Sequence, residues 1–303
     1  MFGKGSDIIS SKQFDRRTLE ELFSEAKGFD VKASEGDYFV DKCEGKVLAS
    51  LFFEPSTRTR LSFESAMQGL NGRVISVSGT EGTSLWKGET LEDTIKIVDF
   101  YADVIVLRHP ERDSAKRAAD ASRAPIINAG DGSNEHPTQA LLDLYTMWKE
   151  FGKIDGLTIA LVGDLKHART IHSLAIALNN FRVNLKLIAP KSLELSDETK
   201  REIRNKFLET NSLDLSDCDV IYATRIQKER FQDLRAYEFV KGSYRIDLKT
   251  LEKLKPESII MHPLPRVDEL DKEVDSTKHA RYFEQAKNGL FVRMALLDTI
   301  LSG

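Results

Sequence analysis

Along the first half of the chain, short apolar runs alternate with segments of helical periodicity. Residues 47–53, 74–77, 104–107 and 125–128 read as strands, and the stretches between them place apolar side chains at helical spacing. The second half repeats the alternation with runs at 157–162, 184–188, 220–224 and 258–261, separated by charged helical segments such as 196–209. Strands that alternate with helices predict parallel sheets. Between the halves, Pro137 opens a helix to Phe151 whose Leu141, Leu144, Tyr145 and Trp148 share one face. Residues 290–301 form a further amphipathic helix, placed to cross back onto the first half. The expected fold is α/β: two doubly wound parallel-sheet domains joined by interdomain helices. Residues 1–136 with the terminal helix 289–303 form one domain, and residues 137–288 the other. No short-period repeat accompanies the alternation, which excludes a solenoid.

Composition agrees with a two-domain globular chain, since 303 residues with 41% apolar content bury a substantial core. The net charge of −4 argues against a nucleic-acid partner or an anionic membrane surface, so any cationic site is local. Cys43 and Cys218 are too few for a zinc-ligand set or a disulfide framework and read as small apolar residues in a reducing compartment. The opening Met1-Phe2-Gly3-Lys4 lacks a signal-peptide pattern and no apolar run reaches membrane-spanning length, so the expected location is cytoplasmic.

Candidate chemistry begins at Ser56-Thr57-Arg58-Thr59-Arg60, between an apolar run and a helical segment. Unpaired N–H groups at a helix start, hydroxyls and a forked guanidinium together suit a phosphate dianion. Pro55 sets the turn; Phe63, Ala66, Met67 and Leu70 make the buried stripe that follows, and Gly69 and Gly72 mark its end. Alone, the cluster reads first as the start of a capped helix with two exposed arginines, ahead of a phosphate site. Neither the P-loop nor the dinucleotide glycine motif is present, which points to a small phosphate compound.

In open α/β sheets, ligands bind outside the carboxyl ends of the strands. Polar groups gather there: Arg108-His109-Pro110; Asn134-Glu135-His136-Pro137-Thr138-Gln139; Asp164 to Arg169; Arg225-Ile226-Gln227-Lys228-Glu229-Arg230; and His262-Pro263-Leu264-Pro265-Arg266. Taken one at a time, the arginines fit surface ion pairs, His136 a helix-start residue, and the prolines loop stiffeners.

Taken together, the Ser-Thr-Arg-Thr-Arg, Arg-His-Pro, His-Pro-x-Gln and His-Pro-Leu-Pro-Arg segments, over almost the whole chain, resemble the aspartate/ornithine carbamoyltransferase family, and more closely its aspartate branch. The resemblance implies a carbamoyl phosphate-binding first domain and an aspartate-binding second one. Carbamoyl passes to the amine of L-aspartate without metal, cofactor or covalent nucleophile, early in pyrimidine synthesis. It assigns Ser56, Thr57, Arg58, Thr59 and Arg108 to the phosphate. Thr59, Arg108 and His136 fall on the carbamoyl oxygen; Gln139 and the backbone at Leu264 and Pro265 fall on its NH2. Arg169, Arg225 and Gln227 take the aspartate carboxylates. By the same resemblance, Ser84 and Lys87, in an otherwise unremarkable Gly-flanked loop, enter the site of a neighbouring subunit, which implies a homotrimer with shared active sites. Association with a regulatory chain stays open. Glu54 is expected to pair with Arg169 or Arg230 when the domains close. The alternatives are transfer to ornithine or another amino acid, disfavoured by Pro263 where the ornithine branch carries Cys, and a catalytically silent anion-binding subunit.

Overall fold

The computed structural model describes residues 3–81, 83–227, 231 and 233–302. Lys228, Glu229 and Arg230, among the residues singled out above, lie outside that set. The chain divides into two compact units, Met1–Tyr145 with Lys287–Gly303, and Thr146–Ala286.

The first unit holds a parallel sheet in the order β2-β1-β3-β4, with β1 at Val47–Phe52, β2 at Arg73–Ser78, β3 at Val104–His109 and β4 at Ile126–Asp131. Helices α1 (Arg16–Ser34), α2 (Thr57–Gly69), α3 (Leu91–Val98) and α4 (Ser114–Ala121) connect and cover it. Strand β1 reads Val-Leu-Ala-Ser-Leu-Phe because an inner parallel strand is covered on both faces and alternation would bury polar groups. Ala49, Leu51, Ile95, Ile105, Leu107 and Ala118 form one core layer. The stripe on α2 is buried as its spacing predicts, with Phe63, Ala66, Met67 and Leu70 all at 0% exposure.

The second unit holds a parallel sheet in the order β7-β6-β5-β8-β9. Its strands are β5 at Thr158–Val162, β6 at Asn184–Ile188, β7 at Lys206–Thr210, β8 at Val220–Ala223 and β9 at Ile259–Met261. The helices are α6 (Arg169–Ala177), α7 (Asp197–Glu202), α8 (Leu234–Val240) and α9 (Leu248–Leu251). Two longer helices, α5 (Pro137–Phe151) and α10 (Tyr282–Leu301), contain the points where the chain passes from one unit to the other. Val162, Ile188, Ile221, Ala223 and Ile260 form the core of the second unit. The helix expected over 196–209 is a correction: α7 stops at Glu202 and residues 206–210 are an edge strand. Phe207 and Leu208 remain 39% and 58% exposed there, so the segment shows no buried run for the sequence to display. No helix of the described residues is long and apolar enough to cross a membrane.

One ionisable contact in the first unit carries a prediction. Burial and the neighbouring Asp298 push the Glu25 carboxyl up to about 7, while Thr299 Oγ1 donates to Glu25 Oε2 at 3.3 Å. A carboxyl raised in the folded state binds its proton more tightly than in the unfolded chain, so stability falls as pH rises from the unfolded value through about 7. Glu25→Gln is expected to stabilise the protein at pH 8 by about 1 kcal/mol and to have little effect at pH 5. Thermal melts of both proteins across that range check it.

Candidate active site

In the first unit the functional groups stand at the carboxyl ends of β1, β3 and β4. Phe52 is in register with Arg108, and the Phe53 N–H donates to the Arg108 carbonyl at 2.8 Å, which sets the turn before α2 beside the Arg108 side chain. Ser56 is the N-cap residue of α2, and its hydroxyl makes no capping bond to the helix. Thr57, Arg58 and Thr59 fill the first turn, with Thr59 buried and Arg58 exposed. Protein packed on one side of the Arg58 guanidinium desolvates it and holds its pKa below the usual arginine value, a penalty that a bound anion offsets. Arg108 is almost buried; its Nη1 donates to the Ala129 carbonyl at 3.1 Å and its Nη2 to Glu54 Oε1 at 3.0 Å. Glu54 thus engages Arg108 within its own unit, a partner the sequence reading did not assign to it.

His136 arrives through a polar hub that sequence reasoning missed. The buried Asp131 carboxylate accepts from Asn128 Nδ2 at 2.9 Å, Asn134 Nδ2 at 2.9 Å and the N–H groups of Asp113 and Glu135 at 3.1 Å each. Glu135 in turn accepts the Ser11 N–H at 2.8 Å, which ties the amino-terminal segment to the start of α5. His136 and Gln139 follow, both buried, one turn apart, and Thr138 Oγ1 lies 3.5 Å from His136 Nδ1. His109 belongs to the framework: its Nδ1 accepts the Glu111 N–H at 3.1 Å, and burial lowers its pKa, which favours the neutral ring.

Ser84 and Lys87 stand exposed on a short 3-10 turn, Leu85–Lys87, closed by Gly88 in the left-handed region. Among the described residues neither side chain is joined by a hydrogen bond or ion pair to the Ser56–Arg60 turn.

In the second unit, adjacent strands β5, β8 and β9 deliver the other candidates from one sheet edge. Gly163 follows β5 at φ 113°, and a Cβ there would lie 2.2 Å from the Thr224 carbonyl oxygen. Only glycine admits this approach, which brings the turn leading to Arg169 against the loop of Arg225 and Gln227. The fully buried Asp164 binds both sides: it accepts the His167 N–H at 3.0 Å and the Gln227 N–H at 3.4 Å. After β9, His262 Nδ1 accepts the Leu264 N–H at 2.8 Å, and His262 Nε2 lies 2.8 Å from Glu269 Oε1. Burial alone would raise the Glu269 carboxyl, but the His262 hydrogen bond and the backbone N–H groups it accepts bring it below its ordinary value. This clamp supports Leu264 at φ 54°, an unusual conformation for a branched residue, before a cis Leu264–Pro265 bond. Arg266 is spent on the framework, paired with Asp275 at 2.6 Å and lying 5.4 Å over the Tyr282 ring.

Neither cysteine suits nucleophilic work. Burial pushes the Cys43 thiol up to about 11 and Cys218 up to about 12, so both stay protonated at neutral pH.

Comparison with known proteins places these residues in a wider context. Residues 6–149 match the family model for the aspartate/ornithine carbamoyltransferase carbamoyl-P binding domain, and residues 155–300 match the Asp/Orn binding domain. The aspartate carbamoyltransferase catalytic subunit of Pyrobaculum islandicum is 53% identical, covering 98% of this chain and 99% of the relative. The Thermococcus kodakarensis subunit of the same name is 52% identical, covering 98% and 97%. Among solved structures, aspartate transcarbamoylase from Trypanosoma cruzi in complex with N-(phosphonacetyl)-L-aspartic acid superposes with a TM-score of 0.94 at 41% identity, covering 98% of this chain and 96% of that one. The catalytic subunit of M. jannaschii aspartate transcarbamoylase gives 0.88 at 49%, covering 97% of each chain.

Proposed function

Because the chain belongs to the aspartate/ornithine carbamoyltransferase family, we propose that it transfers the carbamoyl group of carbamoyl phosphate to the amine of L-aspartate. The products are N-carbamoyl-L-aspartate and phosphate. The observation that carries the reading is the Ser56-led helix start set in register beside Arg108, in a chain that spans the full length of relatives bearing that activity in their names.

The chemistry follows from the substrate. Carbamoyl phosphate is a mixed anhydride whose phosphate leaves readily, so transfer needs alignment and positive charge. The aspartate nitrogen attacks the carbamoyl carbon, the new C–N bond forms as the C–O bond to phosphate breaks, and the amine proton leaves with phosphate. Negative charge grows on the carbamoyl oxygen, where Thr59, Arg108 and His136 donate; preorganised donors of this kind are commonly the largest catalytic contribution. Ser56, Thr57, Arg58, Thr59 and Arg108 hold the phosphate. Gln139 and the backbone at Leu264 and Pro265 take the carbamoyl NH2. Arg169, Arg225 and Gln227 hold the two carboxylates, a clamp that suits aspartate and gives the ammonium side chain of ornithine no counter-charge. Holding both reactants in an attack geometry contributes about 7–11 kcal/mol in favourable model systems.

The purified chain, given carbamoyl phosphate and either L-aspartate or L-ornithine, is expected to form carbamoyl-aspartate and no citrulline. Product from ornithine, or from neither, rejects the reading.

The proposal extends to a cytoplasmic homotrimer acting early in pyrimidine synthesis. Ser84 and Lys87, exposed in the single chain, complete a neighbour's site. Inactive Lys87→Ala and His136→Ala proteins, mixed under conditions of verified subunit exchange, are expected to regain activity, because some interfaces then unite two intact halves. No recovery counts against shared sites. Native mass measurement distinguishes a lone trimer from one joined by a regulatory chain.

A further inference from the structure

We propose that Asp143 is a positioning residue that fixes which end of the Gln139 amide faces the ligand, and thereby makes the site prefer a carbamoyl to an acyl phosphate. The inference rests on the function proposed above.

Gln139 and Asp143 are four residues apart on α5 and share one face. Gln139 Nε2 donates to Asp143 Oδ1 at 2.9 Å, with Gln139 buried and Asp143 at 0% exposure. A carboxylate has no proton to give, so it takes the NH2 end of the amide and leaves the Gln139 carbonyl oxygen for the ligand. An oxygen presented in this way accepts from a carbamoyl NH2. An acetyl group offers a methyl at the same place, and the oxygen goes unpaired.

A wholly buried carboxylate is costly without an opposite charge in its surroundings. Arg293, from α10, bears an opposite charge that acts on Asp143 at a distance. The side chain is buried; desolvation lowers its pKa to about 10 against the opposing charge of Asp143, which leaves it protonated at neutral pH. Its guanidinium carbon lies 4.8 Å from the centre of the Phe63 ring, so the same group packs on the helix whose first turn carries Ser56 to Arg60. Gly289 makes room for it, since a Cβ there would stand 2.5 Å from Arg293 Nη1.

The test compares the affinity of the full-length chain for carbamoyl phosphate with that for acetyl phosphate, which has the same anion and no NH2. The wild-type protein is expected to favour carbamoyl phosphate. Asp143→Asn, whose amide accepts either end of Gln139, is expected to lower that ratio about ten- to hundredfold while acetyl phosphate binds as before. Adding Gln139→Ala to Asp143→Asn is expected to lower it little further. A general loss of folding would weaken both ligands together and leave the ratio alone. Should Asp143→Asn fail to fold, Gly289→Ala displaces the Arg293 guanidinium and crowds Leu142, the neighbour of Asp143, and the same ratio is read. A folded variant that keeps the wild-type ratio overturns the positioning role. A wild-type protein that does not distinguish the two phosphates overturns the functional reading itself.

Discussion

Arg108→Ala is expected to lower turnover by about two to three orders of magnitude while the fold persists, because the proposed reaction uses its guanidinium as a donor to both the leaving phosphate and the developing oxyanion. Arg108 is well placed for that role before any ligand arrives. Its backbone is fixed by the parallel register with β1, and its side chain is held between the Ala129 carbonyl and Glu54. Little reorganisation is left for the moment of reaction. The loss of the Glu54 pair costs about 1 kcal/mol of stability, because Glu54 is partly exposed and water replaces its partner. Steady-state kinetics beside a thermal melt separate the two effects. A folded Arg108→Ala protein within tenfold of wild-type turnover, about 1.4 kcal/mol, removes Arg108 from the catalytic set.

The second large effect is expected at Gly163→Ala, a position that touches no substrate in this account. At φ 113° any side chain is strained, and the added methyl would sit 2.2 Å from the Thr224 carbonyl oxygen, so one of the two loops must move. Backbone strain and displacement together are expected to cost about 3 kcal/mol or more. One loop leads to Arg169 and the other carries Arg225 and Gln227, so whichever moves, apparent aspartate affinity is expected to fall more than carbamoyl phosphate affinity, whose proposed phosphate shell sits in the other unit. Isothermal titration of each ligand and a melt check this. Equal losses for both ligands would show that the strain spreads beyond the second unit's loops.

Much of the fold was legible because parallel strands covered on both faces appear as uninterrupted apolar runs. Strands β1, β3, β5 and β8 announce themselves in this way. Strand β7 does not, since its Lys-Phe-Leu-Glu-Thr sits at a sheet edge with both faces open to solvent, and its charges continue the pattern of the helix before it. Helix α10 likewise begins at Tyr282, eight residues ahead of the expected start, where charged residues dilute the apolar stripe. The expected link helix over Pro137–Phe151 matches α5, whose proline start and apolar face are both local signals.

The candidate ligand-binding side chains were legible for a different reason: each alone fits a surface ion pair or a helix start, but their segments taken together and in order carry the family resemblance. The acids that arrange them were not. Asp131, Asp164 and Glu269 act on groups brought near by the turn of the chain, and an isolated acid in a loop carries no mark of its partners. Asp143 is the exception that could have been found, because its four-residue spacing from Gln139 on a predicted helix places the two side by side.

The measurement that bears most directly on the whole account is a crystal structure of the chain with N-(phosphonacetyl)-L-aspartic acid, which joins a phosphonate to the aspartate skeleton. The phosphonate is expected on Ser56, Thr57, Arg58, Thr59 and Arg108, and the two carboxylates on Arg169, Arg225 and Gln227. A compound bound with its phosphonate away from Arg58 and Arg108, or its carboxylates away from Arg225, contradicts the account.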